Sequence, residues 1–152
     1  MAFPYGQDFK ETGGLSAYRT VKTAEFAAGA GTGNVGTFAL FTVTGSVIVR
    51  IIAECTDTLV EGVGGGTIEV GITADTATII AQTVCTTIAV NEIWHDATSD
   101  ADIENASVAA SWIIVNGMDI FATIAGQVIT DGTIVFHCFW TPLSSTGAVV
   151  AA

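Results

Sequence analysis

Residues 109–143 read AASWIIVNGMDIFATIAGQVITDGTIVFHCFWTPL, and how they pair decides the fold. Three β-branched and aromatic runs are separated by Asn116-Gly117 and Asp131-Gly132. Asn-Gly and Asp-Gly tolerate the positive φ that a two-residue type I′ turn needs, so both dipeptides signal hairpins. The stretch therefore predicts an antiparallel meander. A turn at Asn116-Gly117 sets Trp112 opposite Phe121 and Ile113 opposite Ile120. A turn at Asp131-Gly132 sets Ile129 opposite Ile134 and Gln127 opposite Phe136, each pair within cross-strand reach. The last run is apolar on both faces. Ile134, Phe136, Cys138 and Trp140 alternate with Val135, His137 and Phe139. Two-sided apolarity marks a central strand, or a strand whose second face is covered by another subunit.

Upstream, the same reading places strands at 18–26, 37–44, 47–55, 67–73, 78–83, 86–90 and 92–95. Gly45-Ser46 closes a tight turn from which 47–55 returns. On that strand Val47, Val49, Ile51, Ala53 and Cys55 share one apolar face. In 67–73, Ile68, Val70 and Ile72 point inward while Thr67, Glu69 and Thr73 point outward. Small-residue or acidic loops fill 27–36, 56–66 and 96–105. Eight to ten strands and no sustained helical period predict an all-β chain, an antiparallel β-sandwich of jelly-roll-like form. The core is expected to hold Val49, Ile51, Val70, Ile72, Trp112, Phe121, Phe136 and Trp140. Pro4, Gly6, Gly13 and Gly14 break any regular structure ahead of residue 18. Residues 1–17 are thus expected to be an extended N-terminal arm on a single domain, 18–152.

Composition excludes several function classes. The chain has 152 residues, half of them apolar and only 12% charged, with a net charge of −11. Four Lys+Arg against 15 Asp+Glu cannot build the basic face that nucleic acid or an anionic membrane surface requires. There is no basic segment followed by an apolar one at the N-terminus and no long uncharged apolar run, so neither a secretion signal nor a membrane span is expected. Charge is uneven: Lys10, Arg19 and Lys22 balance Asp8, Glu11 and Glu25 in residues 1–25, while Arg50 is the one cation after them.

No motif carries catalytic chemistry. Gly31-x-Gly33-x-x-Gly36 has dinucleotide-fingerprint spacing, but a β-branched run follows where the pyrophosphate-binding helix belongs. Asp96, Asp100, Asp102 and Glu104 lack the spacing of a calcium loop. Cys55, Cys85 and Cys138 form no Cys-x-x-Cys pair, and adjacent His137 and Cys138 point to opposite faces of a strand. The three thiols are expected to be buried. No serine nucleophile elbow is present. A non-enzymatic chain without a cofactor or metal is the expectation.

Four segments carry a resemblance: GTFALFTVTGSVIVRI at 36–51, IEVGIT at 68–73, the turn at 116–120, and DGTIVFHCFWTPLSSTG at 131–147. Here the chain resembles small β-rich virion structural proteins of tailed bacteriophages, of head decoration or cement type. The resemblance covers most of 36–147 and implies a multicopy virion subunit, made in the host cytoplasm, that stabilises the head. A carbohydrate- or receptor-binding jelly-roll module of a virion is the alternative. Expected partners are further copies of the chain, as a homo-oligomer and most readily a trimer, and the major capsid protein or another virion protein. Residues 1–22, the arm and the start of the first strand, with Phe3, Tyr5 and Phe9 as anchors and Lys10, Arg19 and Lys22 as cations, are the expected attachment segment.

Overall fold

The computed structural model describes residues 18–27, 29, 31–101 and 109–152. They form two antiparallel sheets packed face to face as a β-sandwich. The strands are β1 (Tyr18–Glu25), β2 (Gly36–Thr44), β3 (Val47–Glu61), β4 (Thr67–Ile72), β5 (Asp75–Val84), β6 (Glu92–Trp94), β7 (Ser99–Ala101), β8 (Trp112–Ile114), β9 (Ile120–Ala125), β10 (Ile129–Pro142) and β11 (Ala148–Ala151). The front sheet runs β1-β10-β3-β6-β7, with β8 also paired to β3. The back sheet runs β11-β2-β9-β4-β5. The expected arm, 1–17, lies outside the described residues, as do Asp102 and Glu104 of the acidic loop.

The predicted meander does not form. β8 pairs with β3 in the front sheet, β9 with β2 and β4 in the back sheet, and β10 with β1 and β3 in the front sheet. Trp112 therefore faces Val49 rather than Phe121, and Ile113 faces Ile48 rather than Ile120. Asn116 and Gly117 do adopt positive φ, 57° and 67°. Their turn carries the chain from one sheet to the other. Gly45-Ser46 does the same between β2 and β3. The two corners stack: Gly117 N–H donates to Gly45 O (2.8 Å), and Val43 N–H donates to Asp119 Oδ1 (2.9 Å). Turn-forming dipeptides specify a local backbone shape, and burial of both sheets' inner faces decides whether that shape closes a hairpin or a corner.

Asp131-Gly132 lies inside β10. Register against β3 shifts between Ile129, Asp131, Thr133 and Ile134, and Gly132 takes φ +114°. That is a bulged strand, for which glycine is suited. A strand this apolar is best satisfied in the middle of a sheet, with β1 and β3 taking its hydrogen bonds on either side.

The core sits between the sheets. Val47, Val49, Ile51, Ala53 and Cys55 of β3 meet Ile134, Phe136 and Cys138 of β10 and Ile120, Ala122 and Ile124 of β9. Val49, Ile51, Val70 and Phe136 are buried as expected, whereas Ile72, Trp112, Phe121 and Trp140 are only half-buried. Phe121 misses the core because Ile120 and Ala122 take the inward positions of β9. The two tryptophans face inward at the sandwich margin. Trp140 stacks on Tyr18 with ring centroids 4.6 Å apart. Its Nε1 donates to Thr20 Oγ1, which donates to Val149 O and ties the two sheets together along that seam. The fully buried tryptophan is Trp94, whose Nε1 donates to Thr83 Oγ1 (2.8 Å) across the opposite seam.

Candidate interaction surface

Alternation along β10 settles which side chains point away from the core. Ile134, Phe136 and Cys138 are buried, so Val135, His137 and Phe139 form the outward set, all half-exposed. Register carries that face across its neighbours, since directly paired residues share a side of the sheet. One row holds Arg19, Phe139 and Arg50. The next holds Val21, His137 and Ile52, the next Thr23, Val135 and Glu54. Glu25 and Thr133 continue the face on β1 and β10. Ile48 lies beyond Arg50 and meets Ile113, which is 68% exposed. Ile93 pairs with Glu54, and Asp100 with Ile93.

The outer front sheet is thus an apolar surface of Val21, Ile48, Ile52, Ile93, Val135 and Phe139 set with charges of both signs. His137 Nε2 lies 3.4 Å from Glu54 Oε2. Beside this pair, Ile52, Asn91 and Ile93 complete a shallow depression of about 400 Å³. Arg50 donates to Ser111 Oγ (3.3 Å). The thiols face elsewhere. Cys138 points into the core, where burial pushes it up to about 12, and burial likewise raises Cys85 to about 12 and Cys55 to about 11. Neutral thiols at physiological pH are poor nucleophiles and poor metal ligands. Among the described residues no cluster of three His, Cys, Asp or Glu side chains is placed to hold a metal. Gly31–Gly33 forms a single 3-10 turn leading to strand β2, so the glycine-rich segment does not open onto an α-helix.

The back sheet differs. Its outward positions include Thr37, Thr42, Thr67 and Thr123, and its strands contain no lysine, arginine or histidine. Glu69 points outward as expected yet is 8% exposed, because Thr76 and Gln82 donate to its two oxygens. One broad face is apolar and of mixed charge; the other is a threonine surface around a capped carboxylate.

Of the residues grouped as the attachment arm, Phe3, Tyr5, Phe9 and Lys10 lie outside the described residues. Arg19 and Lys22 are strand residues of β1. Arg19 is exposed on the outer face, while Lys22 sits on the other side and its Nζ donates to Ala152 O. Ile48, Arg50, Ile52 and Glu54 belong to this face although no motif marks them. Their signal is in the sequence: 47–55 is apolar at two outward positions as well as on its inward face, the same two-sided pattern as β10.

No protein-family model and no curated protein sequence matches the chain. Its fold does have a solved counterpart. A chain in the acidic stable capsid structure of Helicobacter pylori bacteriophage KHP30 superposes with a TM-score of 0.52 at 11% identity, covering 90% of this chain and 95% of that one. The two share a fold along nearly their whole lengths. At this identity the likeness speaks to architecture alone.

Proposed function

We propose that this protein is a non-enzymatic structural subunit of a bacteriophage virion, a head decoration or cement protein that binds the capsid shell in many copies. The observation that carries the reading is the near full-length fold match to a phage capsid chain. Two features support it. The outer front sheet offers a contiguous apolar contact face, and such a patch rimmed by polar residues is a feature of interaction sites. The acidic body suits an exposed position on a particle, since like charge keeps particles dispersed. The subunit is produced in the host cytoplasm and acts on the assembled head, partnering the major capsid protein and its own copies, without nucleic acid, membrane, metal or cofactor.

Attachment is assigned to the arm ahead of β1, where Phe3, Tyr5 and Phe9 supply aromatic anchors and Lys10 a cation. Such a segment binds a partner through backbone hydrogen bonds and side-chain pockets. The test is electron microscopy and mass spectrometry of purified particles, followed by add-back of the chain and of a variant lacking residues 1–16. The full chain should appear in multiple copies on the head surface, and the truncated one should stay folded but fail to bind. Absence from particles would overturn the virion role. Full occupancy by the truncated chain would overturn the arm's part in it.

A further inference from the structure

The charges on the outer front sheet are arranged about its middle. The Val21–His137–Ile52 row is uncharged apart from the histidine. One row toward one end carries Arg19 and Arg50 around Phe139. Toward the other end come Glu54 beside Val135, and then Glu25 and Asp57 on either side of Thr133. Arg50 and Glu54 lie on the same strand, equidistant from Ile52, and about 13 Å separates them along an extended chain.

This order is self-complementary. A two-fold axis lying in the plane of a face-to-face contact, running across the strands at the central row, reverses the strand direction and keeps each strand over its own copy. Arg50 then meets Glu54 of the second copy, and Glu54 meets its Arg50. Phe139 meets Val135. Arg19 comes over Thr23, within a long side chain's reach of Glu25. Ile52, His137 and Val21 meet themselves at the centre. Reciprocal contacts of this kind define an isologous interface.

We infer that the outer front sheet is a homodimer interface, and that its occupant is a second copy of this chain seated about that two-fold axis. Charge decides for a second copy. A molecule of net charge −11 repels its own copies over most of its surface, and on this face Arg19 and Arg50 are placed opposite carboxylates of the second copy, with Asp57 and Asp100 outside those pairs. The threonine face of the back sheet, without any cation, has no such complement. Four strands at about 4.8 Å spacing and four to five rows along them give a footprint of roughly 500 Å² per copy. That is at the small end for a stable interface, so a dimer of micromolar affinity is expected.

The test is sedimentation of the full chain between about 1 μM and 1 mM, bracketing that affinity, with charge-swapped variants. The wild type should dimerise. Arg50→Glu and Glu54→Arg should each weaken self-association at least about tenfold, because each places like charges in contact twice. The double variant should recover it. The two single variants, mixed in equal amounts, should form a one-to-one heterodimer, since every contact across the axis is then between opposite charges. Arg19→Glu and Glu25→Arg repeat the design at exposed positions, so a folding failure at 50 or 54 still leaves a decisive measurement. A wild type monomeric throughout the range, a trimer, single variants that associate like the wild type, or mixtures that stay monomeric would each overturn the pairing. The inference uses the chain alone and does not rest on the virion role: a dimer absent from particles overturns that role, and particle binding by a strict monomer overturns this one.

Discussion

Trp94 shows how one side chain joins the two sheets. It lies on β6 opposite Ala53 of β3, fully buried, in a T-shaped contact with Phe136 at a centroid distance of 6.3 Å. Thr83 of β5 accepts its indole N–H and is within hydrogen-bonding distance of Ala81 O and Asp96 O. Removing the ring opens a cavity between the sheets and leaves Thr83 without its donor. Trp94→Ala should cost about 3–5 kcal/mol, the range for a truncated core aromatic. Trp112 faces inward too, but at the margin and half-exposed, so Trp112→Ala should cost clearly less. Urea titrations of the two variants check the order, and equal losses would contradict this placement of the core. The core expected from sequence includes Trp112 and not Trp94. Exposure depends on distance from the sheet margin, which no local pattern records.

At the scale of elements, β10 organises the front sheet by accepting β1 on one edge and β3 on the other. Its fourteen residues stay continuous only because Gly132 absorbs the bulge. A Cβ there would lie 2.7 Å from Thr58 O and 2.8 Å from Leu59 Cδ2, at a φ of +114°. Gly132→Ala should therefore destabilise by more than about 1 kcal/mol, the usual bound for alanine forced into positive φ. Thermal or urea unfolding measures it, and a neutral substitution would mean that the bulge can move. The sequence showed that residues 131–132 bend the chain and that 133–141 form a strand apolar on both faces. It could not show that the strand runs through the bend. A hairpin and a bulge use the same residues, and the difference lies in which strands arrive from elsewhere: β1 and β3 contribute partners 68 or more positions away.

For the whole molecule, charge is the controlling quantity. Fifteen carboxylates against four cations repel one another in the compact state, which works against folding. Screening relieves that repulsion over a Debye length of about 30 Å at 0.01 M salt and about 8 Å at 0.15 M. The melting temperature of the dilute, monomeric chain should therefore rise when salt is raised between those concentrations. Scanning calorimetry at fixed pH measures it. A fall would mean that local ion pairs outweigh the net repulsion. Self-association should respond less simply, because salt weakens the arginine–carboxylate contacts proposed across the interface while it relieves the overall repulsion.

By itself the sequence determined that the chain is all-β, where most strands begin, which positions of 47–55 face the core, that 133–141 is apolar on both faces, and that the body is acidic. These follow from alternation, turn chemistry and composition, which act over a few residues. Only the tertiary structure decided that Asn116-Gly117 and Gly45-Ser46 are corners between sheets, that Asp131-Gly132 is a bulge, and that Arg19, Arg50, Glu54 and Glu25 are ordered along one outer face. Pairing between distant strands is chosen by the joint burial of two inner faces, a property of the whole chain that no segment contains.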